Sequence, residues 1–391
     1  ILVTLFTGFL IGMGSGVNVQ VALGLGAKDD KTIEKTIHTA FLICAAIGIM
    51  IGVFCILFAR PMLQALHTKS DLIDAAVLYL KIYALGMPAM AVYNFGNGVL
   101  SAKGDTKSPL IYLAVAGVLN IILNLIFVIG FHLAAAGVAI ASAIAQYVSM
   151  LLVIRNLLKR RDVCRLQISK IQFHQDVAKG ILLMGIPTGM QNAIFALANL
   201  FVQRGVNYFY TIMVSGNAAA TNADAIIFNV MSAFYTGCAS FVSQNRGAGN
   251  RERMKKSYLV ALIYSFLIGL FLGACLFFGG RYFLRAFATD RAVIDAGMER
   301  IKIMAFAYSI SAFMDCTIAA SRGLGKSIGP MIIVMLGSCV FRIIWVYTIF
   351  AHFHTIPSLY LLYPFSWTLT AIAEIAYFIV QFRKVMPKSR I

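Results

Sequence analysis

Four ionisable residues lie inside long apolar segments of this sequence: Asp224, Asp315, Arg342 and Glu374. A charge in such surroundings is costly, so each of them is a candidate functional group. An apolar environment favours the protonated form of a carboxyl, and an ionised carboxyl can ligate Na⁺ together with neighbouring oxygens. Either property would let these acids couple the inward movement of H⁺ or Na⁺ to a conformational change.

Asp315 is the preferred ion-coupling residue, and a Na⁺ near it is the only metal expected. Its counterpart in an internal repeat described below is Asn94, so both halves place a polar side chain at one depth. A fixed ion pair between Asp315 and Arg342, which would only stabilise the fold, is the alternative. Glu374 has apolar neighbours and is either a proton site or a partner of polar groups on another helix. Asp224 lies near the end of its segment, where a merely interfacial position is the simpler interpretation.

The apolar segments also carry uncharged polar residues that could line a substrate cleft. Those predicted to do so are Gln20, Tyr93, Asn94, Asn97, Asn120, Asn124, Gln146, Gln191, Asn192 and Asn199. The 29 Phe, 16 Tyr and 17 Met suit the binding of varied apolar cations. Pro88 and Pro187 remove backbone hydrogen bonds and are hinge candidates, with static kinks as the alternative.

The elements that carry these residues are predicted to be membrane-spanning helices. Of the 391 residues, 60% are hydrophobic and 12% are charged, whereas a soluble domain has about 25% charged residues. Almost uncharged runs at 37–59, 108–131, 133–154, 257–280 and 328–350 are each long enough to cross the roughly 30 Å hydrocarbon layer. The chain is therefore predicted to be an all-α polytopic membrane protein whose surroundings are the lipid bilayer.

A gene duplication is indicated by the matches that appear when the sequence is compared with itself at a shift of 221 residues. Gly26-Ala27 then falls on Gly247-Ala248, Lys35 falls on Lys256, and the matches continue as far as Pro109 and Pro330. Chance similarity between apolar helices would not keep charged loops in register, so two homologous halves are predicted.

Each half is predicted to be one lobe of a two-lobed bundle. The first lobe is 1–172, which includes most of the polar connection at 159–175, and the second is 173–391. The predicted spans are 1–24, 37–59, 73–100, 108–131 and 133–157, then 176–204, 219–243, 257–280, 293–320, 328–350 and 358–382. The first half has five predicted spans and the second has six. We therefore expect a further helix upstream of the first half, twelve helices in all, and two six-helix bundles arranged as a parallel repeat.

The basic residues predict the orientation in the membrane. The segments 25–36, 101–107, 155–179, 246–256, 322–326 and 383–391 hold 23 of the 33 Lys and Arg and are predicted to be cytoplasmic, as is the C-terminus. Arg342 is then the only cation expected deep in a span. The formal charge of +18 lies in these short loops without a polar domain to carry it, so no nucleic-acid partner is expected. Seven Cys without a CxxC spacing predict neither a disulfide nor a metal site.

Several short motifs resemble the multidrug and toxic compound extrusion (MATE) family of bacterial transporters. They are Ser243-Gln244 followed by Gly247-Ala248-Gly249-Asn250, the first-half Gly26-Ala27-Lys28-Asp29, Gly185-Ile186-Pro187, and Arg322-Gly323-Leu324-Gly325-Lys326. The resemblance covers the whole chain apart from the first family helix. It implies a twelve-helix exporter in the bacterial cytoplasmic (inner) membrane, driven by inward flow of H⁺ or Na⁺.

The family's known coupling carboxylates cannot be assigned to residues of this sequence from the resemblance. One branch of the family has its coupling carboxylate on the first helix, which this chain lacks. Another has a Glu on the seventh helix, and the corresponding segment here contains no acid between Pro187 and Leu200. The coupling ion therefore stays open between H⁺ and Na⁺.

The leading functional hypothesis is secondary active export of amphipathic, often cationic small molecules by alternating access. The alternative is a flippase for lipid-linked oligosaccharides or peptidoglycan precursors, which should line its cavity with several Arg or Lys. Because Arg342 alone is expected at depth, the exporter is preferred. No HExxH or GxSxG motif indicates an enzyme. A monomer without a bound cofactor is expected.

Overall fold

The computed structural model describes residues 2–66 and 68–385, and every regular element in them is helical. The helices are α1 (Leu2–Ala27), α2 (Asp30–Ala65), α3 (Ile73–Ala84), α4 (Met87–Ala102), α5 (Lys107–Gly130), α6 (Ala134–Lys159), α7 (Gln175–Val206), α8 (Thr211–Gly247), α9 (Arg251–Leu284), α10 (Arg291–Gly323), α11 (Ile328–Phe353) and α12 (Ile356–Val385). Ten are long and apolar enough to cross a membrane, or eleven if the bent pair α3 and α4 is one span. The predicted fold class and all eleven spans are confirmed, except that residue 1 and the predicted cytoplasmic end at 386–391 lie outside the described residues.

The chain forms two compact units, residues 1–190 and 191–391, so the division falls inside α7. The sequence predicts this division at 172/173. The first part of α7 belongs to unit 1 because its glycines meet those of α1. A Cβ on Gly12 would lie 2.3 Å from the backbone nitrogen of Gly189, and one on Gly16 would lie 2.5 Å from that of Gly185. This close contact continues the core of unit 1 beyond the polar connection.

The predicted repeat is visible in the local structure of the turns. Lys28 ends α1 at φ 56° and its counterpart Gly249 ends α8 at φ 68°, both in the left-handed region that closes a helix. The next residue then caps the following helix, since Asp29 accepts from the backbone of Thr32 and Asn250 accepts from that of Arg253 at 2.9 Å. The Gly-Ala motif of both halves is therefore a helix-stop and helix-start signal.

A second repeated feature is the close approach of neighbouring helices at matched glycines. A Cβ on Gly52 would lie 2.9 Å from the carbonyl oxygen of Ala84, and one on Gly273 would lie 1.8 Å from that of Ala305. Ala84 and Ala305 are themselves counterparts in the repeat. These matched glycines are therefore packing residues, because small residues let backbones approach within a bilayer.

The halves differ where the first contains a proline. The chain bends by 44° between α3 and α4, and Pro88 occupies the first turn of α4. Its counterpart is Ser309, which retains its N–H, and α10 continues through this position unbroken. Pro88 thus marks a kink, while Pro187 lies inside the continuous helix α7. Whether either residue acts as a moving hinge stays a prediction.

Candidate functional site

Asp315, Glu374 and Arg322 are linked by electrostatic interactions within unit 2. Asp315 and Arg322 are seven residues, or about two turns, apart on α10, which places both side chains on one face. Glu374 comes from the middle of α12. The charge of Arg322 acts on both carboxyls, and the charge of Asp315 also acts on Glu374. The sequence separately identified both acids but did not predict that they would share a site.

Glu374 is the most unusual group of this site because it is buried without a partner. The residue is 0% exposed. Neither of its carboxylate oxygens has a hydrogen-bond partner within the part of the chain that the structure describes. An ionised carboxylate in such a position would be very costly, whereas a protonated one is much less so. The geometry therefore suits a neutral, proton-carrying Glu374, and no hydrogen bond among the described residues supports the alternative of polar partners on another helix.

Arg322 lies in the last turn of α10, and the sequence analysis predicts it as part of the cytoplasmic segment 322–326. Its guanidinium donates to the side-chain oxygen of Gln191 at 2.9 Å, and its Nε is buried without a partner among the described residues. Gln191, on α7, is 5% exposed. A residue assigned to a basic loop thus contributes its charge to the interior.

Arg342 lies on α11 and is 2% exposed. Its Nε donates to Ser366 at 3.4 Å and one terminal nitrogen donates to Asn199 at 3.3 Å. Its guanidinium also covers the ring of Tyr363, with 4.7 Å to the centroid. The alternative of a fixed ion pair with Asp315 is wrong, because no nitrogen–oxygen distance within 4.0 Å joins these two residues in the described structure. The charge of Arg342 nevertheless acts on Asp315.

The backbone that carries Arg342 is irregular. The residue lies in the five-residue α-helical stretch Phe341–Trp345 between two π-helical segments, Met335–Val340 and Val346–Phe350. Such segments are rare and occur often at functional sites. The second has a repeat counterpart at Leu125–Gly130 in α5. The irregularity is thus partly inherited from the duplication, while the arginine is present only in unit 2.

A second cluster of buried charges surrounds Asp224. Asp224 on α8 pairs with Arg300 on α10 and accepts a hydrogen bond from Tyr308. Arg300 also donates to Asn217, whose side-chain oxygen accepts from Tyr360 at 2.8 Å. The interpretation of Asp224 as merely interfacial is therefore wrong.

Arg300 is the main functional residue that the sequence analysis missed. The sequence analysis expects Arg342 as the only deep cation, although Arg300 falls inside the predicted span 293–320 and is 4% exposed. The signal that could have found it is the same one that selected Asp315, an ionisable residue within an apolar span. Arg342 is thus not the only deep cation, and the charge count that had disfavoured a flippase no longer does so.

Tyr363 on α12 connects the two clusters. Its ring lies 4.7 Å from the guanidinium carbon of Arg342 and 5.8 Å from that of Arg300. Contacts of this kind within about 6 Å are attractive and are strongest away from water. The buried acids and arginines named so far therefore form one network in unit 2, with three carboxyls and three guanidiniums: Asp224, Asp315, Glu374, Arg300, Arg322 and Arg342.

The cleft candidates of unit 1 form hydrogen bonds within that unit. Gln20 donates to the carbonyl of Gly180 at 3.2 Å, the Tyr93 hydroxyl to that of Pro109 at 3.0 Å, and Asn94 to that of Met90 at 2.9 Å. The other candidates pair with nearby side chains, as Asn97 accepts from Ser101, Asn120 donates to Ser142, and Asn124 donates to Asn120. A substrate-lining role for these residues stays a prediction, as it does for Asn192, which lies half-buried on α7.

Apolar helices with acids and arginines buried among them define a multi-pass membrane protein of the transporter class. The family model MatE matches residues 1–126 and 187–348, and the chain belongs to that family, whose members are transporters.

Individual relatives agree with this assignment. The chain is 26% identical over 300 residues to the probable multidrug resistance protein YpnP of Bacillus subtilis, a match that covers 77% of this chain and 67% of that protein. It is 22% identical over 307 residues to the FAD transporter of Shewanella oneidensis, covering 76% of this chain and 67% of that protein. A solved outward-facing structure of a multidrug resistance MATE family transporter of the MOP superfamily has a TM-score of 0.90 at 18% identity, with 98% of this chain and 86% of that chain covered. The fold and the family are thereby confirmed.

Proposed function

We propose that the protein exports small amphipathic molecules in exchange for protons, with Glu374 and Asp315 as the proton-carrying residues. The observation that carries this proposal is the buried Glu374 carboxyl without a hydrogen-bond partner in the described structure. Such a carboxyl is stable when protonated, and its ionisation would require water or a cation to reach it. A change between two states of the transporter that opens this position would therefore release the proton.

The charges around the acids favour H⁺ over Na⁺ as the coupling ion. Na⁺ needs several oxygen ligands and a net negative site, whereas Arg322 and Arg342 bring two positive charges to the two carboxyls. A proton needs only one carboxyl, and the neighbouring arginines can stabilise that carboxyl once it is ionised.

The proposed orientation has the basic loops and the C-terminal end on the cytoplasmic side of a bacterial cytoplasmic membrane. It rests on the unequal distribution of Lys and Arg between the two ends of the helices. With this orientation, protons that enter from outside reach Glu374 as the substrate leaves. The names of relatives as multidrug resistance proteins support a broad, amphipathic substrate class.

The test is transport into inverted vesicles that contain the full-length protein. Ethidium should accumulate under a proton gradient, should fail to accumulate under a sodium gradient alone, and should lose its gradient dependence in Glu374→Gln. The matched control is Glu299→Gln, because Glu299 is exposed on α10 and its ion pair among the described residues is with the exposed Lys302. Accumulation driven by sodium alone, or unchanged proton-driven transport in both Glu374→Gln and Asp315→Asn, would refute the proposal.

A second candidate function is export of an anionic molecule. It is favoured by Arg322, whose Nε is buried without a partner in the described residues, and by a relative that is named an FAD transporter. Arginine binds phosphate through paired donors. The same vesicles distinguish the two, since proton-driven uptake of FAD that is lost in Arg322→Gln, with no uptake of ethidium, would favour the anion.

A further inference from the structure

An open pocket of about 520 Å³ lies in unit 1, where α5 and α6 meet the polar connection after α6. It is lined by Tyr112, Leu152, Arg155, Asn156, Lys159, Arg160 and Asp162. This pocket is far in sequence from the charged network of unit 2, and transport as proposed above does not use it.

The pocket presents hydrogen-bond donors whose acceptors are missing. Arg155 and Lys159 are exposed, and neither forms an ion pair or hydrogen bond with a described residue. They are four residues apart on α6, so both side chains lie on one face. Tyr112 accepts a hydrogen bond from Asn156 at 2.7 Å, which leaves its own hydroxyl proton free to donate. Two cations and one hydroxyl thus point to an anionic ligand.

The acceptors nearby are already engaged. Arg160 donates to Asp162 at 3.1 Å and to Asp105 at 3.3 Å, and Lys103 pairs with Asp162. Partial burial raises the pKa of Asp162. The hydrogen bonds from Lys103, Cys164 and Arg160 outweigh that effect and hold the pKa below its ordinary value. Asp162 therefore stays ionised and occupied, and it does not neutralise the two unpaired cations.

The position of the pocket favours an anionic lipid over a soluble anion as its ligand. It lies at the basic end of α6, which ends at Lys159, and one to two turns further into the membrane the same helix exposes Leu151 by 60%. On α5, Leu113 and Val115 beside Tyr112 are 54% and 47% exposed. A phospholipid whose phosphate occupies the pocket would place its acyl chains against this apolar surface, whereas a soluble anion would gain nothing from that surface.

We propose that this pocket binds the phosphate of an anionic phospholipid headgroup, held by Arg155, Lys159 and the Tyr112 hydroxyl. Basic pockets between helices at the membrane surface suit such headgroups. The bound lipid would connect α5, of whose apolar span only 6% is buried, to α6. The site is independent of the coupling ion and of the exported substrate.

The test is a thermal-shift titration of the full-length protein in a neutral detergent with dihexanoyl phosphatidylglycerol. The lipid should raise the melting temperature of the wild type, and dihexanoyl phosphatidylcholine or inorganic phosphate at equal concentration should not. In the double variant Arg155→Gln/Lys159→Gln, apparent affinity should fall about thirtyfold, because each cation near the surface contributes roughly 1 kcal/mol.

The matched control is Lys255→Gln/Lys256→Gln, which removes the same charge from exposed positions at the basic end of α9. It should bind the lipid as the wild type does. An equal loss of affinity in this control would show a general charge effect and overturn the site. An equal shift with inorganic phosphate would show a soluble-anion site and overturn the assignment to a lipid.

Discussion

Removing the negative charge of Asp224 tests whether unit 2 is held together by its buried charges. Asp224→Asn is nearly isosteric, and the amide oxygen can still accept from Tyr308. The change removes only the charge opposite Arg300, which then lies in the interior without an ion partner. The sequence interpretation of Asp224 as interfacial predicts almost no effect, so the two interpretations give opposite results.

The magnitude follows from the burial of the pair. The side chain of Arg300 is 5% exposed and that of Asp224 is 17% exposed. Removal of one partner from a buried pair costs about 3–5 kcal/mol. We expect a value near the lower end, about 3 kcal/mol, because Asn217 and two tyrosine rings still contact the guanidinium. The equilibrium constant for unfolding should thus rise by about a hundredfold.

The assay is reversible unfolding of the purified protein in mixed micelles, with Asp295→Asn as the control. Asp295 forms an ion pair with Arg281 at 2.6 Å, but those side chains are 48% and 53% exposed, so its loss should cost less than about 1 kcal/mol. Asp224→Asn should also cost much less in an Arg300→Gln background. The reasoning fails if Asp224→Asn is no more destabilising than the control, or if its cost is the same with and without Arg300.

Three further changes have defined outcomes. Gly273→Ala places a Cβ 1.8 Å from a backbone oxygen and should cost about 1–3 kcal/mol of unfolding free energy, whereas Gly279→Ala on the same helix meets nothing within 4 Å and should leave the melting temperature unchanged or higher. Tyr363→Phe keeps a ring between the two buried arginines and should be mild, while Tyr363→Leu should cost about 1 kcal/mol more in the same unfolding assay. Partial burial raises the pKa of Asp162, but hydrogen bonds, the strongest from Lys103, hold that pKa below 3.8. The stability that the Asp162 carboxylate contributes is therefore complete above about pH 4 and is lost as the pH falls through the lowered pKa. Asp162→Asn should therefore lower the melting temperature at pH 7 and pH 5, and the difference should shrink below pH 3; a difference that instead grows in acid would contradict this assignment.

The sequence alone determined the elements of the fold. Hydropathy located every span, because a helix in lipid must be apolar along its whole length. The duplication was readable from charged loops in register, and the matched caps at Asp29 and Asn250 confirm it. These signals are local, since a cap or a span depends on residues that are neighbours in the chain. The motif resemblance supplied the family, which the family model confirms.

Only the tertiary structure decided which ionisable groups meet. Asp315 and Glu374 were both selected from the sequence, but Glu374 proved to be the unpartnered group and Arg342 proved to bind Asn199 and Ser366 instead of Asp315. Arg300 was overlooked as one of the basic residues near a helix end. Whether such a side chain reaches lipid headgroups or the interior depends on the rotation of its helix and on the neighbours packed against it. Those are contacts between residues far apart in the chain, and hydropathy along a single helix carries no information about them.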